Sequence, residues 1–151
     1  MRFSVIVPIY NKAPYVEKAI RSIFDQTFRD FDLIVVDDGS TDGSDKIVEK
    51  LISENLKPIA SLIRQPNQGV STARNNGVAA SSGEYICFLD ADDWWEPTFL
   101  EEMDAMISAI PNAGIYGTSY FIVKHGKKRM APINPIVVEE PRTKKSANVN
   151  M

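Results

Sequence analysis

Cysteine is almost missing from this chain. Cys87 is the single one in 151 residues, so no internal disulfide can form, and a reducing compartment is implied. It lies inside an apolar run, which points to burial rather than reactivity. Long apolar runs are missing too: none reaches the ~18 residues that a membrane-spanning helix needs. The opening MRFSVIVPIYN turns polar too soon for a secretory signal and reads directly as a first strand. Two nucleotide signatures are also absent. The first strand-to-helix turn, PIYNKAP, lacks the glycine fingerprint of a dinucleotide site, and no Walker sequence occurs. Hydride transfer and P-loop hydrolysis therefore lose ground. The sequence has no internal repeat and no long linker.

Basic charge is scarce over most of the length. Residues 1–120 carry 10 basic and 18 acidic side chains, net −8, whereas residues 121–151 carry 7 and 2, net +5. A body of that sign makes a nucleic-acid partner unexpected. The basic end reads as a solvated tail, with contact to an anionic membrane surface as the alternative. With 44% hydrophobic and 25% charged residues, the chain has the balance of a soluble globular protein with one genuine core.

What is present alternates. Residues 3–9 and 31–36 are β-branched strand segments, and 58–63 is a weaker one. Helical spacing of Val16, Ala19, Ile20, Ile23 and Phe24 marks residues 14–25, with Pro14 in the first turn. Ile47, Val48, Leu51 and Ile52 give the next helix its buried face. Residues 70–80, VSTARNNGVAA, form a helix poor in helix formers, which suggests close packing or a nearby ligand. Residues 85–89 are a fourth strand whose apolar run predicts burial on both faces. Residues 98–110 are an amphipathic helix and 115–123 a fifth strand. HGKKR then reads as a turn, and 130–138 as one further strand interrupted by prolines. The alternation predicts an α/β fold with a mainly parallel sheet flanked by helices.

The organising stretch is GEYICFLDADDWWEP, residues 83–97. An apolar strand stops abruptly in Asp90, Asp92 and Asp93, at the place where open α/β sheets bind ligands. Acids so close repel and call for a neutralising partner. An all-oxygen site favours magnesium, manganese or calcium over zinc. An Asp-rich turn capping the next helix is the competing explanation. In the predicted topology, residues 8–11, 37–40 and 90–93 share one sheet edge, and acids from two strands favour one pocket. A phosphate-bearing metabolite suits that edge, assisted by a metal, loop amides and Arg74. Trp94 and Trp95 read as packing residues more than as sugar platforms.

Taken in order, SVIVPIYN, LIVVDDGSTDGS, QPNQGVSTARNNG and GEYICFLDADDW resemble the successive motifs of the family 2 glycosyltransferases, over residues 4–94. The resemblance implies the GT-A nucleotide-diphospho-sugar transferase architecture. It further implies inverting transfer of a sugar, from a UDP-sugar or related donor, to a saccharide or lipid-linked acceptor. Pro8 and Tyr10 resemble the residues beside the nucleotide base and ribose. Asp38 resembles the acid that hydrogen-bonds the base, with Asp37 supporting the loop. Arg74 and Asn75 resemble residues lining the diphosphate and sugar. Asp90-Ala91-Asp92 resembles the DXD element that holds Mn²⁺ or Mg²⁺, with Asp92 as the direct ligand and Asp90 facing the ribose or sugar.

Residues 1–123 are thus expected to form the nucleotide-sugar-binding domain and 124–151 a short basic extension, with the acceptor half truncated. Polysaccharide biosynthesis in the cytoplasm is the implied setting, with the inner face of a membrane as the alternative placement. No general base is assigned. The chain ends 59 residues past Asp92, and Glu139 and Glu140, in VVEEPRT, do not resemble the family's base motif. A nucleotide-sugar-binding remnant without catalysis is therefore the alternative. A haloacid-dehalogenase-type phosphatase also places Asp-x-Asp after a strand. It needs Thr or Val where Trp94 stands.

Overall fold

The computed structural model describes residues 1–55, 59–111, 113–124 and 127–131. They fall into two compact units, divided between Ala113 and Gly114.

The first unit alternates as expected. Its elements are β1 (Phe3–Ile9), α1 (Ala13–Phe24), β2 (Phe31–Asp37), α2 (Ser44–Glu54), β3 (Ile59–Arg64), α3 (Val70–Ala80), β4 (Tyr85–Phe88) and α4 (Phe99–Ala109). All four strands are parallel, in the order β3-β2-β1-β4. The chain steps outward from β1 to β2 to β3, then returns through α3 to the far side of β1. Right-handed crossovers require α1 and α2 on one face and α3 on the other. The sheet therefore reverses its winding between β1 and β4, and the strand ends beside that reversal open into a crevice.

Alternation along the strands fills both faces. Ile6, Ile34 and Val36 meet Ala73 of α3, with Ile63 and Ile86 packed around them. Val5, Val7, Leu33 and Val35 point the other way and are fully buried. The weak helix formers of α3 are explained by this contact. A Cβ added to Gly77 would stand 2.5 Å from Cγ2 of Ile6, so the helix lies as close to β1 as only glycine permits. Gln26 is wholly buried beyond the end of α1. Its Nε2 donates to the carbonyls of Ser22 (3.0 Å) and Glu96 (2.8 Å), and its Oε1 accepts from Leu100 N–H at 2.9 Å. One amide thus ties α1 to the start of α4.

Two expectations need correction here. β4 is not buried on both faces: Tyr85, Ile86 and Cys87 are half-buried and Phe88 is exposed. It is the outer strand of the described sheet, so one side of its apolar surface meets no further strand there. α2 buries Val48 and Leu51 fully, while Ile47 and Ile52 stay at intermediate exposure.

The second unit contains an antiparallel pair, β5 (Phe121–Lys124) and β6 (Lys127–Met130). The fifth strand is confined to the end of the stretch 115–123, because Gly117, Thr118 and Ser119 carry no apolar alternation. Lys127, Lys128 and Arg129, expected in a turn, pair as strand β6. The strand expected over 130–138 lies, past Ala131, outside the described residues.

Candidate functional site

The carboxyl edge of the sheet is built from loops that are bonded to one another. After β1, Asn11 takes a left-handed φ of 51°. Its N–H donates to Ser40 Oγ (3.0 Å), and its side-chain oxygen accepts from Thr41 N–H at 2.8 Å. The next residue, Lys12, donates its N–H to Ser44 Oγ at 2.8 Å. Asp42 then accepts from Ala13 N–H (2.9 Å) and Ser44 N–H (3.0 Å), while the Ser44 hydroxyl also donates to it. That carboxylate satisfies orphan amides at the starts of both α1 and α2. The hydroxyl contact with Ser44 is the largest influence holding the Asp42 carboxyl below its usual range. The DDGSTDGS stretch is, to this extent, a scaffold for the first loop.

The two aspartates that close β2 divide the work. Asp37 Oδ1 accepts from Ser40 N–H at 3.1 Å and shapes its own turn. Asp38, only 3% exposed, reaches across to the loop before α3. Its Oδ1 accepts from Gln65 Nε2 and from Gln68 N–H, and its Oδ2 from Gly69 N–H, each at 2.8 Å. A carboxylate offers about four lone-pair positions, so the three bonds leave about one unfilled.

Between these loops and the end of β4 lies a cleft of about 340 Å³. Pro8, Tyr10, Lys12, Asp38, Asp90 and Asp92 are among its lining residues, joined by Asn67, Gly69, Val70 and Ala73. Tyr10 is half exposed at its edge. Two of the three acids that follow β4 are each paired with a cation. Arg74 on α3 contacts Asp90 Oδ1 at 2.6 Å, and Lys12 Nζ contacts Asp92 Oδ2 at 2.7 Å. The Lys12 ammonium holds the Asp92 carboxyl below its usual range, and Asp92 holds the ammonium above its own. Asp93 moves the other way: loss of solvent first, then the charges of Asp92 and Asp90, push it up.

Among the described residues, no group of three or more His, Cys, Asp or Glu converges as a metal cage. A hard divalent cation does not need one. Magnesium-type sites commonly use one or two carboxylates and take the rest of their oxygens from phosphate and water. The Asp90–Asp92 pair, open to the cleft, fits that donor set.

Most of the residues expected at the site come together at this edge. Pro8, Tyr10, Asp38, Asp90 and Asp92 line the cleft, and Arg74 adjoins it through Asp90. Asn75 is exposed on α3 and is not among the lining residues; its neighbour Asn76 bonds Gln65 Oε1 at 2.6 Å. Trp95 stacks on Phe99 with ring centroids 4.3 Å apart, and Lys18 sits over Trp94. Glu139 and Glu140 lie outside the described residues. Lys12 stands just outside the first motif, SVIVPIYN. The signal for it was its place on the first loop at the edge where the acids gather.

Comparison with known proteins gives this edge a context. The sequence pattern of Glycosyl transferase family 2 matches residues 4–150. An uncharacterized glycosyltransferase of Nostoc is 43% identical over 106 residues, covering 68% of this chain and 32% of the relative. The solved structure of S. aureus TarS 1–349 in complex with UDP-GlcNAc superposes with a TM-score of 0.67 at 35% identity. That match covers 72% of this chain and 32% of TarS 1–349. A mannosyltransferase from Pyrobaculum calidifontis, solved with GDP-Man and Mn²⁺, gives a TM-score of 0.60 at 33% identity, over 62% of this chain and 28% of that one. The present chain thus spans about a third of the length of these proteins.

Proposed function

The chain belongs to glycosyl transferase family 2, and from that premise we propose that it is the donor-binding part of an inverting, metal-dependent glycosyltransferase. The donor is a nucleotide-diphospho-sugar, with UDP as its nucleotide. The observation that carries this reading is the cleft itself. Its lining brings an aromatic edge, Tyr10, and a buried carboxylate, Asp38, together with two acids, Asp90 and Asp92, that are paired with Arg74 and Lys12. Base and ribose suit the first two residues and a diphosphate the paired acids and cations. Binding of UDP-GlcNAc and GDP-Man by the two solved relatives supports the assignment.

In this reading the residues act as follows. Tyr10 and Pro8 flank the base and ribose, and Asp38 accepts from a base N–H with its remaining lone pair. Arg74 orients the diphosphate beside Asp90, and Asn75 faces the sugar side. A divalent cation, held by Asp92 with Asp90, would offset phosphate charge and stabilise the departing nucleoside diphosphate. An acceptor hydroxyl attacks the anomeric carbon from the face opposite the leaving group. The carbon–oxygen bond to phosphate breaks, and the hydroxyl proton passes to a base. No described residue is assigned as that base. Residues 1–123 are the donor domain and 124–151 a basic extension. Cytoplasmic polysaccharide biosynthesis on a saccharide or lipid-linked acceptor is the proposed setting, with contact between the basic segment and an anionic membrane surface as the alternative to a solvated tail. No helix among the described residues is long and apolar enough to cross a membrane.

The test is calorimetric titration with UDP, with Mn²⁺ and with EDTA. Mn²⁺ is expected to tighten UDP binding, and Asp92→Asn to remove that gain. Equal affinity under both conditions refutes the metal assignment, and no UDP binding under either refutes the donor assignment.

A further inference from the structure

The ion pair between Lys12 and Asp92 joins the first loop to the end of β4, 80 residues apart in sequence. It is a poor stabiliser. The Lys12 side chain is 35% exposed and Asp92 48%, and pairs that wet contribute little. Yet the backbone of Lys12 is held firmly. Its N–H is bonded to Ser44 Oγ, its carbonyl accepts from Tyr15 and Val16 N–H at 2.9 Å, and Asp42 fixes Ala13 next to it. Only the flexible part of the side chain is free to re-aim. It lines the same cleft as Asp92 and has one carboxylate as its partner there, so it has two destinations within reach: the acid, or an anion entering the cleft.

We propose that Lys12 is an exchangeable counter-ion. It neutralises Asp92 while the cleft is empty and transfers to the diphosphate when a divalent cation takes over that carboxylate. This rests on the donor-binding reading above and adds a residue role that none of the four motif assignments contains. Arg74 forms the corresponding pair from α3: its guanidinium meets Asp90 at 2.6 Å and its Nε is buried without a hydrogen-bond partner.

The consequence is a coupling. In the empty cleft, a cation must displace the ammonium to reach Asp92, so the free protein binds metal weakly. A bound diphosphate draws Lys12 away and frees the carboxylate, and by reciprocity metal favours diphosphate equally. Replacing Lys12 by an uncharged chain of similar length should therefore move two affinities in opposite directions.

The experiment uses the full chain and three titrations: MnCl₂ alone, UDP in EDTA, and MnCl₂ with saturating UDP. Wild type is compared with Lys12→Met, Lys12→Arg and, as a charge control on an exposed helix face, Lys50→Met. Lys12→Met should bind Mn²⁺ alone roughly two- to fivefold more tightly, the range set by an exposed ion pair. It should bind UDP in EDTA more weakly by a similar factor, and the ratio of Mn²⁺ affinities with and without UDP should shrink. Lys12→Arg and Lys50→Met should both track wild type. Unchanged affinities in Lys12→Met overturn the proposal, and so does a loss in both titrations, which would make Lys12 a prop for the site. Either result leaves donor binding intact if wild type still binds UDP more tightly with Mn²⁺. Absence of UDP binding in wild type fails the donor reading instead.

Discussion

Replacing Asp38 by alanine tests whether this residue holds the cleft together, reads the nucleotide, or both. The substitution deletes three hydrogen bonds to one carboxylate, all at 2.8 Å. Bonds to a charged group are worth roughly 1.5–3 kcal/mol each, so the plain sum is about 4.5–9 kcal/mol. Two effects reduce it. Gln68 and Gly69 are exposed, so their amides can turn to water, and bonds sharing one loop do not add. A loss of about 2–4 kcal/mol remains. For a chain of this size, that lowers the melting temperature by roughly 5–15 °C. Urea unfolding should show the same loss as a lower midpoint at constant slope. An unchanged midpoint would refute the account of Asp38 as the clamp on residues 65–69. The binding arm compares Asp38→Ala with Gln65→Ala, which removes one of the three bonds but no group expected at the base. If Asp38 also bonds the base, its loss should cost about tenfold more in uridine affinity than Gln65→Ala does, with pyrophosphate affinity alike in both. Equal uridine losses would assign Asp38 to loop support alone.

Gln26→Leu should destabilise the fold by roughly 2 kcal/mol or more, because it strands the buried Leu100 N–H and the Ser22 carbonyl, while the Glu96 carbonyl keeps its bond from Phe99 N–H; a urea midpoint like wild type would refute this. Burial pushes the Cys87 thiol up to about 12, so at pH 8 this half-buried group should react with a thiol reagent far more slowly in the native chain than in the unfolded one; equal labelling rates would contradict its placement. Since the unfolded thiol ionises near 9, the stability this group contributes is complete below pH 9 and is lost as the pH climbs towards 12, a loss that Cys87→Ala should abolish. No described residue is assigned as the base, so the 151-residue chain is expected to bind donor yet transfer sugar poorly, loss of a positioned base costing about 10²–10⁴-fold in rate. Robust turnover on an acceptor panel, abolished by Glu139→Gln or Glu140→Gln, would overturn that.

Much of this was legible because the information is local. β-branched runs, helical spacing and acids at strand ends describe β1, α1, β2 and α3 to within a residue or two, and parallel topology follows from alternation alone. The convergence of residues 8–12, 37–44 and 90–92 is a consequence of that topology. What escaped depends on tertiary contact. Nothing in the letters around Asp38 says that its oxygens face Gln68 and Gly69, thirty residues on. Gln26 looks like an ordinary polar residue after a helix; only the packing of α4 makes it a buried junction. Lys12 is one of many lysines until β4 places Asp92 opposite it. The misjudged burial of β4 has a similar origin: an apolar run records the capacity to be covered, while the strand's position in the sheet decides which side is.

The bonding of Asn11 and Lys12 to Ser40, Thr41 and Ser44 has a bearing on how this site can change. The two loops behave as one mechanical part cut from two places in the sequence. A substitution that re-aims Tyr10 must break or rebuild contacts made some thirty residues later. Exchanging the first loop alone for one from a relative that takes another nucleotide should therefore give a loosened cleft, not a new preference. Transplanting 8–13 together with 37–44 keeps the part whole. In a double-mutant cycle, Asn11→Ala and Ser44→Ala should fall short of additivity, because the first change already slackens what the second would release. Nucleotide choice at this edge is in that sense inherited in a block, and a library randomising either segment alone would sample mostly broken versions of it.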